Sequence, residues 1–211
     1  MFDIDGTLVQ SNDFDDELFL RAVSEVLGVT ATPNWEQYRH VTDAGILDEI
    51  IGHHGGSVDR AQAHCGVRTR YIELTRQLLE SDDFVLMEVD GAVSFLRLLQ
   101  AEENIGISIA TGGWAETAAM KLAAVGIDVD GMAFASSSDA NSRIRIMELS
   151  EKRANSEVGF SRRTYFGDGV WDQVAADDLS HDFIAVGNNV EHHLQIDDFS
   201  QPEKVFELLG L

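Results

Sequence analysis

Basic residues are scarce in this chain. Lys and Arg number 15 against 37 Asp and Glu, giving a formal net charge of −22. Nucleic acid and anionic membranes are bound through clustered Lys and Arg, so the charge argues against both as partners. It does not argue against a small phosphorylated metabolite, because a bound metal and one or two local cations reverse the sign inside a site. The remaining acidity reads as a solvated, self-repelling surface suited to high salt. Cysteine is nearly absent as well. Cys65 alone forms no intrachain disulfide, which suits a reducing compartment, and it reads as an ordinary residue of a helical region. No apolar run approaches the length of a membrane span, and the first residues show neither the basic nor the apolar part of a secretory signal. The expected location is the cytoplasm. The pattern holds no internal repeat and no disordered tail, and it specifies no oligomeric state.

What is present is a chain of 211 residues with 44% hydrophobic and 25% charged content, enough to bury a core. Residues 1–5 read as a stunted strand, since only Met1 and Phe2 precede Asp3. Either the strand is short or the true start lies upstream. Residues 13–83 are almost wholly helical. Asn12 or Asp13 caps a helix to about Leu27, closed by Gly28. A short helix runs from Pro33 to His40 and a third from Thr42 or Asp43 to Gly52. His53-His54-Gly55-Gly56 reads as a turn. A long helical stretch from Ser57 to Glu80 follows, with a break expected at Gly66.

From residue 84 the pattern alternates. Strands are expected at 105–110, 132–135, 163–166 and 183–186, with helices at 90–101, 114–125, 142–156, 170–179 and 202–209. Repeated strand–helix units imply an α/β fold with a parallel, Rossmann-like sheet covered by helices on both faces. The helical module then is an insertion. The expected division is a core of residues 1–12 and 84–211 and an inserted helical domain of residues 13–83.

In such a sheet, ligands bind beyond the carboxyl ends of the strands. The first strand ends in Asp3-Ile4-Asp5-Gly6-Thr7. On an extended strand both carboxylates project the same way, and Gly6 and Thr7 let the chain turn after them. Paired carboxylates suit Mg²⁺, and a carboxylate also serves as a covalent nucleophile toward phosphorus. Alone, the pair is equally an acidic turn after an apolar stub. The second strand ends in Thr111-Gly112-Gly113, and a later one in Gly167-Asp168-Gly169-Val170-Trp171-Asp172. Together these bring Asp3, Asp5, Asp168 and Asp172 to one edge with backbone N–H groups at a helix start, which bind phosphate oxygens. Carboxylates so crowded repel one another unless a cation sits among them.

This combination resembles the haloacid dehalogenase superfamily, and within it the phosphoglycolate phosphatase-like and β-phosphoglucomutase-like members with a helical cap after the first strand. The resemblance runs from Phe2 to about Gly187. It implies a Mg²⁺-dependent phosphatase acting on a small phosphomonoester through an aspartyl phosphate. It implies Asp3 as nucleophile and Asp5 as general acid and then base. Thr111, Gly112, Gly6 and Thr7 would hold phosphoryl oxygens. Asp3, Asp168, Asp172 and the backbone carbonyl of Asp5 would hold Mg²⁺. The family also places a cation near the helix before the Asp168 strand, but its Lys-Pro signature is missing here. Arg143 at the helix start is preferred, Lys152 further along is the alternative, and Arg145 stands third. A sugar phosphomutase of the β-phosphoglucomutase type is the alternative activity, and a non-catalytic phosphate-binding protein is another. A dehalogenase does not need Asp5 or a metal.

The stretch His40-Val41-Thr42-Asp43-Ala44-Gly45-Ile46 resembles the family's cap specificity loop, with Thr42, Asp43 and Gly45 as substrate-facing candidates. It reads equally well as an interhelical turn with Thr42 or Asp43 as N-cap. The pairs His53-His54 and His192-His193 read as solvated turn residues rather than a metal site, since adjacent side chains do not share a face. Trp114 and Trp171 follow strand ends, where helix packing is the expected role and lining the site the alternative.

Overall fold

A computed structural model of the chain describes residues 1–54, 59–154 and 159–211. The helices are α1 (Asn12–Leu27), α2 (Asp43–His54), α3 (Arg60–Leu79), α4 (Ala92–Gln100), α5 (Ala115–Ala124), α6 (Arg143–Ala154), α7 (Val170–Asp178) and α8 (Pro202–Leu209). The strands are β1 (Ser108–Ala110), β2 (Ala133–Ala135), β3 (Thr164–Gly167), β4 (Asp182–Val186) and β5 (Gln195–Ile196). β1 pairs with β2, β3 with β4, and β4 with β5, all in parallel.

The first residues join these strands into one sheet. Phe2 bridges both Ile109 of β1 and Phe166 of β3 in parallel. The Phe2 N–H donates to Ser108 O and the Asp3 N–H to Phe166 O, each at 2.9 Å. The spatial order is therefore β2-β1-residues 1–3-β3-β4-β5. The chain moves to one side of its first segment and later to the other, so that segment is the switch point where α/β sheets place their ligand crevice. The expected five-residue strand shrinks to this bridge for a local reason. Ile4 O accepts the N–H groups of Thr7, Leu8 and Val9, which bends the chain away from the ladder.

The sheet packs on an apolar layer centred on Phe2. Its ring stacks on Phe166 at 4.6 Å and meets Phe199 at 6.2 Å and Phe95 at 6.4 Å. Leu96, Leu99, Ile109, Leu122 and Ile184 complete this layer. α1, α2 and α3 gather around a separate cluster of Phe19, Leu47, Ile50, Val67 and Tyr71, which also takes in Trp114. The two segments joining this helical module to the sheet run side by side: Gln10 N–H donates to Met87 O and Val89 N–H to Leu8 O, each at 2.9 Å.

Local chemistry explains most boundaries. Gly28 closes α1 in the left-handed conformation at φ 66°, its N–H bonded to Ser24 O. Asp59 caps α3 by accepting the Gln62 N–H at 3.0 Å. α3 runs on unbroken through Gly66, contrary to the expected break, because Val67 and Tyr71 anchor the next turn in the core. The expected helix at 33–40 is a single 3₁₀ turn, Trp35–Gln37. His53 and His54 end α2 rather than forming a turn, and Gly55, Gly56 and Ser57 lie outside the described residues, as do residues 155 and 156. β5 was not expected, because two residues in an acidic loop carry no readable alternation. No helix among the described residues is long and apolar enough to cross a membrane.

Truncating Phe2 to Ala is expected to cost about 3–5 kcal/mol, since it opens a cavity beneath the central segment. Urea unfolding of the two proteins measures it, and a loss under about 1 kcal/mol would show that the stacked rings do not anchor the sheet.

Candidate active site

A cavity of about 350 Å³ opens at the carboxyl edge of the sheet, beneath the helical module. Asp3, Asp5, Thr111, Gly112, Gly113, Arg143, Asp168, Gly169 and Trp171 line its floor. Asp15, Asp16, Phe19, Trp35, Glu36, Val41, Thr42, Asp43 and Ile46 line its other walls.

Asp3, Asp168 and Asp172 each bring a carboxylate oxygen within 4.8 Å of the others, and all three are buried. Asp3 follows the bridge at Phe2, and Asp168 directly follows β3, the strand that Phe2 bridges at Phe166. Asp172 sits in the first turn of α7 and accepts the Gly169 N–H at 3.0 Å, which caps the helix start. Asn12 and Asn189 orient Asp168 through amide N–H bonds of 2.9 and 3.2 Å. Gly6 makes this approach possible. It sits at φ +71°, and a Cβ there would fall 2.0 Å from Asp168 Oδ2.

Arg143, at the first position of α6, lies among these acids. Its Nη1 is 3.2 Å from Asp3 and 2.9 Å from Asp172. Its Nη1 also donates to Tyr165 Oη at 3.2 Å, and Nη2 to Val41 O at 3.3 Å. Tyr165 in turn donates to Ala110 O at 2.9 Å and reaches Asp172 at 3.2 Å. Burial opposes charge on Arg143, but Asp172 and Asp3 outweigh it and hold the guanidinium firmly protonated. Burial pushes the carboxyl of Asp3 up, with Arg143 pulling the other way. Burial, then the Asp3 charge, pushes Asp168 up to about 6. Burial likewise raises Asp172 well above the carboxylate range, against the pull of Arg143.

Burial thus opposes ionisation of all three acids, and a divalent cation among them would favour their charged forms and offset the two negative charges that Arg143 leaves unmatched. Asp3 Oδ1 is buried with no hydrogen-bond partner in the protein. A buried carboxylate oxygen left without a partner is costly, and Asp3 lines the cavity next to the other two acids. Hard oxygen donors in this number suit Mg²⁺. The residues present therefore fit a metal ion, with Asp3, Asp168 and Asp172 as its protein ligands.

Asp5 stands apart from this triad. Ser11 Oγ and Lys121 Nζ both donate to its Oδ1. Lys121, fully buried on α5, also donates to Asp15 Oδ1 at 2.9 Å, and the Tyr71 hydroxyl donates to the same Asp15 oxygen. Asp43 accepts the Trp114 N–H at 2.8 Å while its own N–H donates to Gly112 O at 2.9 Å. Burial pushes Asp15 up to about 6, despite Lys121, and also raises Asp43 well above its ordinary value.

The other candidates separate cleanly. Thr111 and Gly112 face the cavity. The N–H groups of Gly6 and Thr7 bond to Val9 O at 2.9 Å and Ile4 O at 3.1 Å inside the turn, while Thr7 Oγ1 is buried with no hydrogen-bond partner in the protein. Lys152 is exposed on α6 and Arg145 pairs with Glu148 at 2.7 Å on the surface; neither reaches the cavity. The reason is position along α6, since only its first residue abuts the strand ends. Thr42 and Asp43 line the cavity, and Thr42 is also the cap of α2, accepting the Gly45 N–H at 3.1 Å. Gly45 packs against His40 instead, where a Cβ would lie 2.7 Å from the His40 Cβ. Trp114 is buried in the helical cluster, whereas Trp171 lines the cavity. His192 bonds to the Leu194 backbone and belongs to no metal-ligand group among the described residues.

Sequence reasoning missed Asn12, Asn189, Tyr165, Asp15 and Lys121. Lys121 carried a signal: it falls on the same buried stripe of α5 as Ala118 and Leu122, and a cation on an apolar face needs buried partners. The amides of Asn12 and Asn189 carried none.

A haloacid dehalogenase-like hydrolase model matches residues 1–177. The chain belongs to that family. Its structure is similar to a hydrolase from Pseudomonas syringae, at 18% identity, TM-score 0.74, and coverage of 99% of this chain and 96% of that one. It is also similar to a β-phosphoglucomutase from Clostridium difficile, at 18% identity, TM-score 0.70, and coverage of 100% and 97%. A third is CbbY from Rhodobacter sphaeroides in complex with phosphate, at 16% identity, TM-score 0.70, and coverage of 95% and 93%. No curated protein matches the chain in sequence.

Replacing Arg143 by Met leaves Asp3 and Asp172 buried without their shared counter-charge. The expected loss of stability is about 3–5 kcal/mol at neutral pH in EDTA, read by urea unfolding. An unchanged midpoint would mean that the guanidinium does not hold the two acids together.

Proposed function

We propose that the protein is a Mg²⁺-dependent phosphatase that hydrolyses a small phosphomonoester through an aspartyl phosphate on Asp3. The observation that carries this reading is the unpartnered, buried Oδ1 of Asp3, in a residue that lines the cavity and is grouped with Asp168, Asp172 and Arg143. Such an oxygen is free to attack phosphorus, while the other oxygen of the same carboxylate is held by Arg143 at 3.2 Å.

The phosphoryl group would lie between Asp3, Arg143 and the turn Thr111–Gly113. Arg143 would bind its equatorial oxygens and restrain the nucleophile together. A bound Mg²⁺ would offset the charge of the carboxylates and of the transferring group, where most of the rate enhancement of phosphoryl transfer arises. Asp5 would protonate the leaving oxygen as the P–O bond breaks. It would then take a proton from the water that attacks the aspartyl phosphate. The helical module, proposed as a cap of residues 13–83 on a core of residues 1–12 and 84–211, would exclude bulk water from these steps.

The walls around the leaving group narrow the substrate. Asp15, Asp16, Glu36 and Asp43 line them with Phe19 and Trp35, and Arg143 is the one cation among the described lining residues. Like charges brought together cost several kcal/mol. A leaving group rich in hydroxyls, or one that carries an ammonium, fits this wall, and a carboxylate does not. The phosphomutase alternative has support in the fold shared with a β-phosphoglucomutase. A bisphosphate, however, needs a second anion site, and Arg143 already serves the first.

Phosphate release from a panel of small esters with Mg²⁺ tests the reading. Polyol and aminoalkyl phosphates are expected to outrun phosphoglycolate by about tenfold or more, and Asp3→Asn to reduce release to background. Appreciable turnover by Asp3→Asn would remove Asp3 as nucleophile. Little release together with bisphosphate-dependent isomer exchange would favour the mutase.

Mg²⁺ is also expected to raise the thermal midpoint of the unsubstituted protein, by about 2.7 kcal/mol of added stability at a hundredfold excess over its Kd. Asp168→Ala is expected to lose that response. A response that survives the substitution would place the ion elsewhere.

A further inference from the structure

Lys121 has no part in the reading above, yet it touches the group that the chemistry needs most. It lies ten residues past Thr111, on α5, with no exposed side-chain surface. Its ammonium bonds Asp5 Oδ1, the oxygen that Ser11 Oγ also holds. With two donors on Oδ1, the carboxyl group of Asp5 cannot rotate freely, and its Oδ2 is turned toward Gly113 and Thr111. A Cβ placed on Gly113 would lie 3.6 Å from that Oδ2 and 3.6 Å from Thr111 Oγ1. Oδ2 therefore faces the floor where the phosphoryl group would lie, and its partner-free side is open to a leaving oxygen.

The same ammonium reaches Asp15 on α1 at 2.9 Å, and Asp15 also accepts the hydroxyl of Tyr71 on α3. Asp5 belongs to the sheet edge, whereas Asp15 and Tyr71 belong to the helical module. Lys121 thus ties the acid–base group to two helices of the wall that encloses the substrate. It does not line the cavity itself.

Resting on the phosphatase reading, we propose that Lys121 is a positioning residue. It pins Asp5 Oδ1, presents Oδ2 to the leaving oxygen, and couples that presentation to the seating of α1 over the site. In the first step Asp3 forms a bond to phosphorus, the P–O bond to the leaving group breaks, and the proton on Asp5 Oδ2 passes to the departing oxygen. Lys121 gives up no proton in this step. It fixes where the proton starts.

A positioning role makes a claim that a merely structural role does not. An alkyl leaving oxygen needs the proton, whereas p-nitrophenolate departs without it. For Lys121→Met, kcat/KM for an alkyl phosphomonoester is expected to fall by about 10²-fold or more, the usual worth of a well-placed general acid. With p-nitrophenyl phosphate, kcat/KM is expected to change by less than about fivefold, while kcat falls, because water attack on the aspartyl phosphate still uses Asp5. The double variant Asp15→Asn/Lys121→Met removes Lys121 together with its buried partner on α1, leaving only Asp5, whose side chain is 19% exposed, without its counter-charge. It is expected to show the same split between the two esters. Equal losses on both esters, or no loss on either, would overturn the proposal while leaving the phosphatase reading intact. Failure of the unsubstituted protein to hydrolyse either ester would overturn both.

Discussion

Burying three carboxylates at one point of the sheet is the constraint to which the rest of the structure answers. Asp3, Asp168 and Asp172 sit together because three consecutive features of the fold converge there: the bridge at Phe2, the end of β3 and the first turn of α7. Water would screen such a cluster, but these side chains are shielded from it. Arg143 supplies one positive charge, and Tyr165 and the Asn12 and Asn189 amides supply donors. Under the proposed reading, a cation and an anionic ester would together complete the balance of charge there. The architecture keeps the acids in place by mounting the donors on α1, α6, β3 and the loop after β4, so no single helix can drift without breaking several contacts.

A second cluster shows the same count with a different resolution. Asp5, Asp15 and Asp43 face one cation, Lys121. Burial raises the carboxyls of Asp15 and Asp43, and Lys121 pulls both the other way, so this cluster carries its own cation. Both clusters border the same cavity, and the difference between them follows from what each acid touches.

The sheet-edge half of the site was legible in the sequence because it follows from spacing. Asp3 and Asp5 flank one residue, Thr111 follows a strand of apolar residues, and Asp168 and Asp172 flank a helix start. Arg143 was legible for the same reason, as the first residue of α6. A turn can be read from Gly6-Thr7, but not the destination of its N–H groups, which bond within the turn. The half contributed by the helical module was less legible. Asp15 reads as one of several acids on a solvated helix until α1 is packed on α3, and only then does Tyr71 reach it. Gly66 reads as a break until Val67 and Tyr71 are seen to be core. The 3₁₀ turn at Trp35–Gln37 reads as a helix, because the bond from Trp35 Nε1 to Asp16 that ties it to α1 spans nineteen positions of sequence, at 2.8 Å.

That asymmetry has a physical origin. The acids of the sheet edge sit at strand ends, where neighbouring positions are fixed by the ladder and a short motif carries them. The residues of the cavity's other walls are placed by helix packing, where the deciding contacts join residues far apart in the chain. Lys121 belongs to both. It sits on a helix of the sheet half, its ammonium lies between an acid of each half, and its apolar neighbours Ala118 and Leu122 hold the stem. A longer or shorter side chain there would have to choose one acid over the other. The position of this one cation therefore sets how closely proton transfer at Asp5 follows the seating of the helices above it.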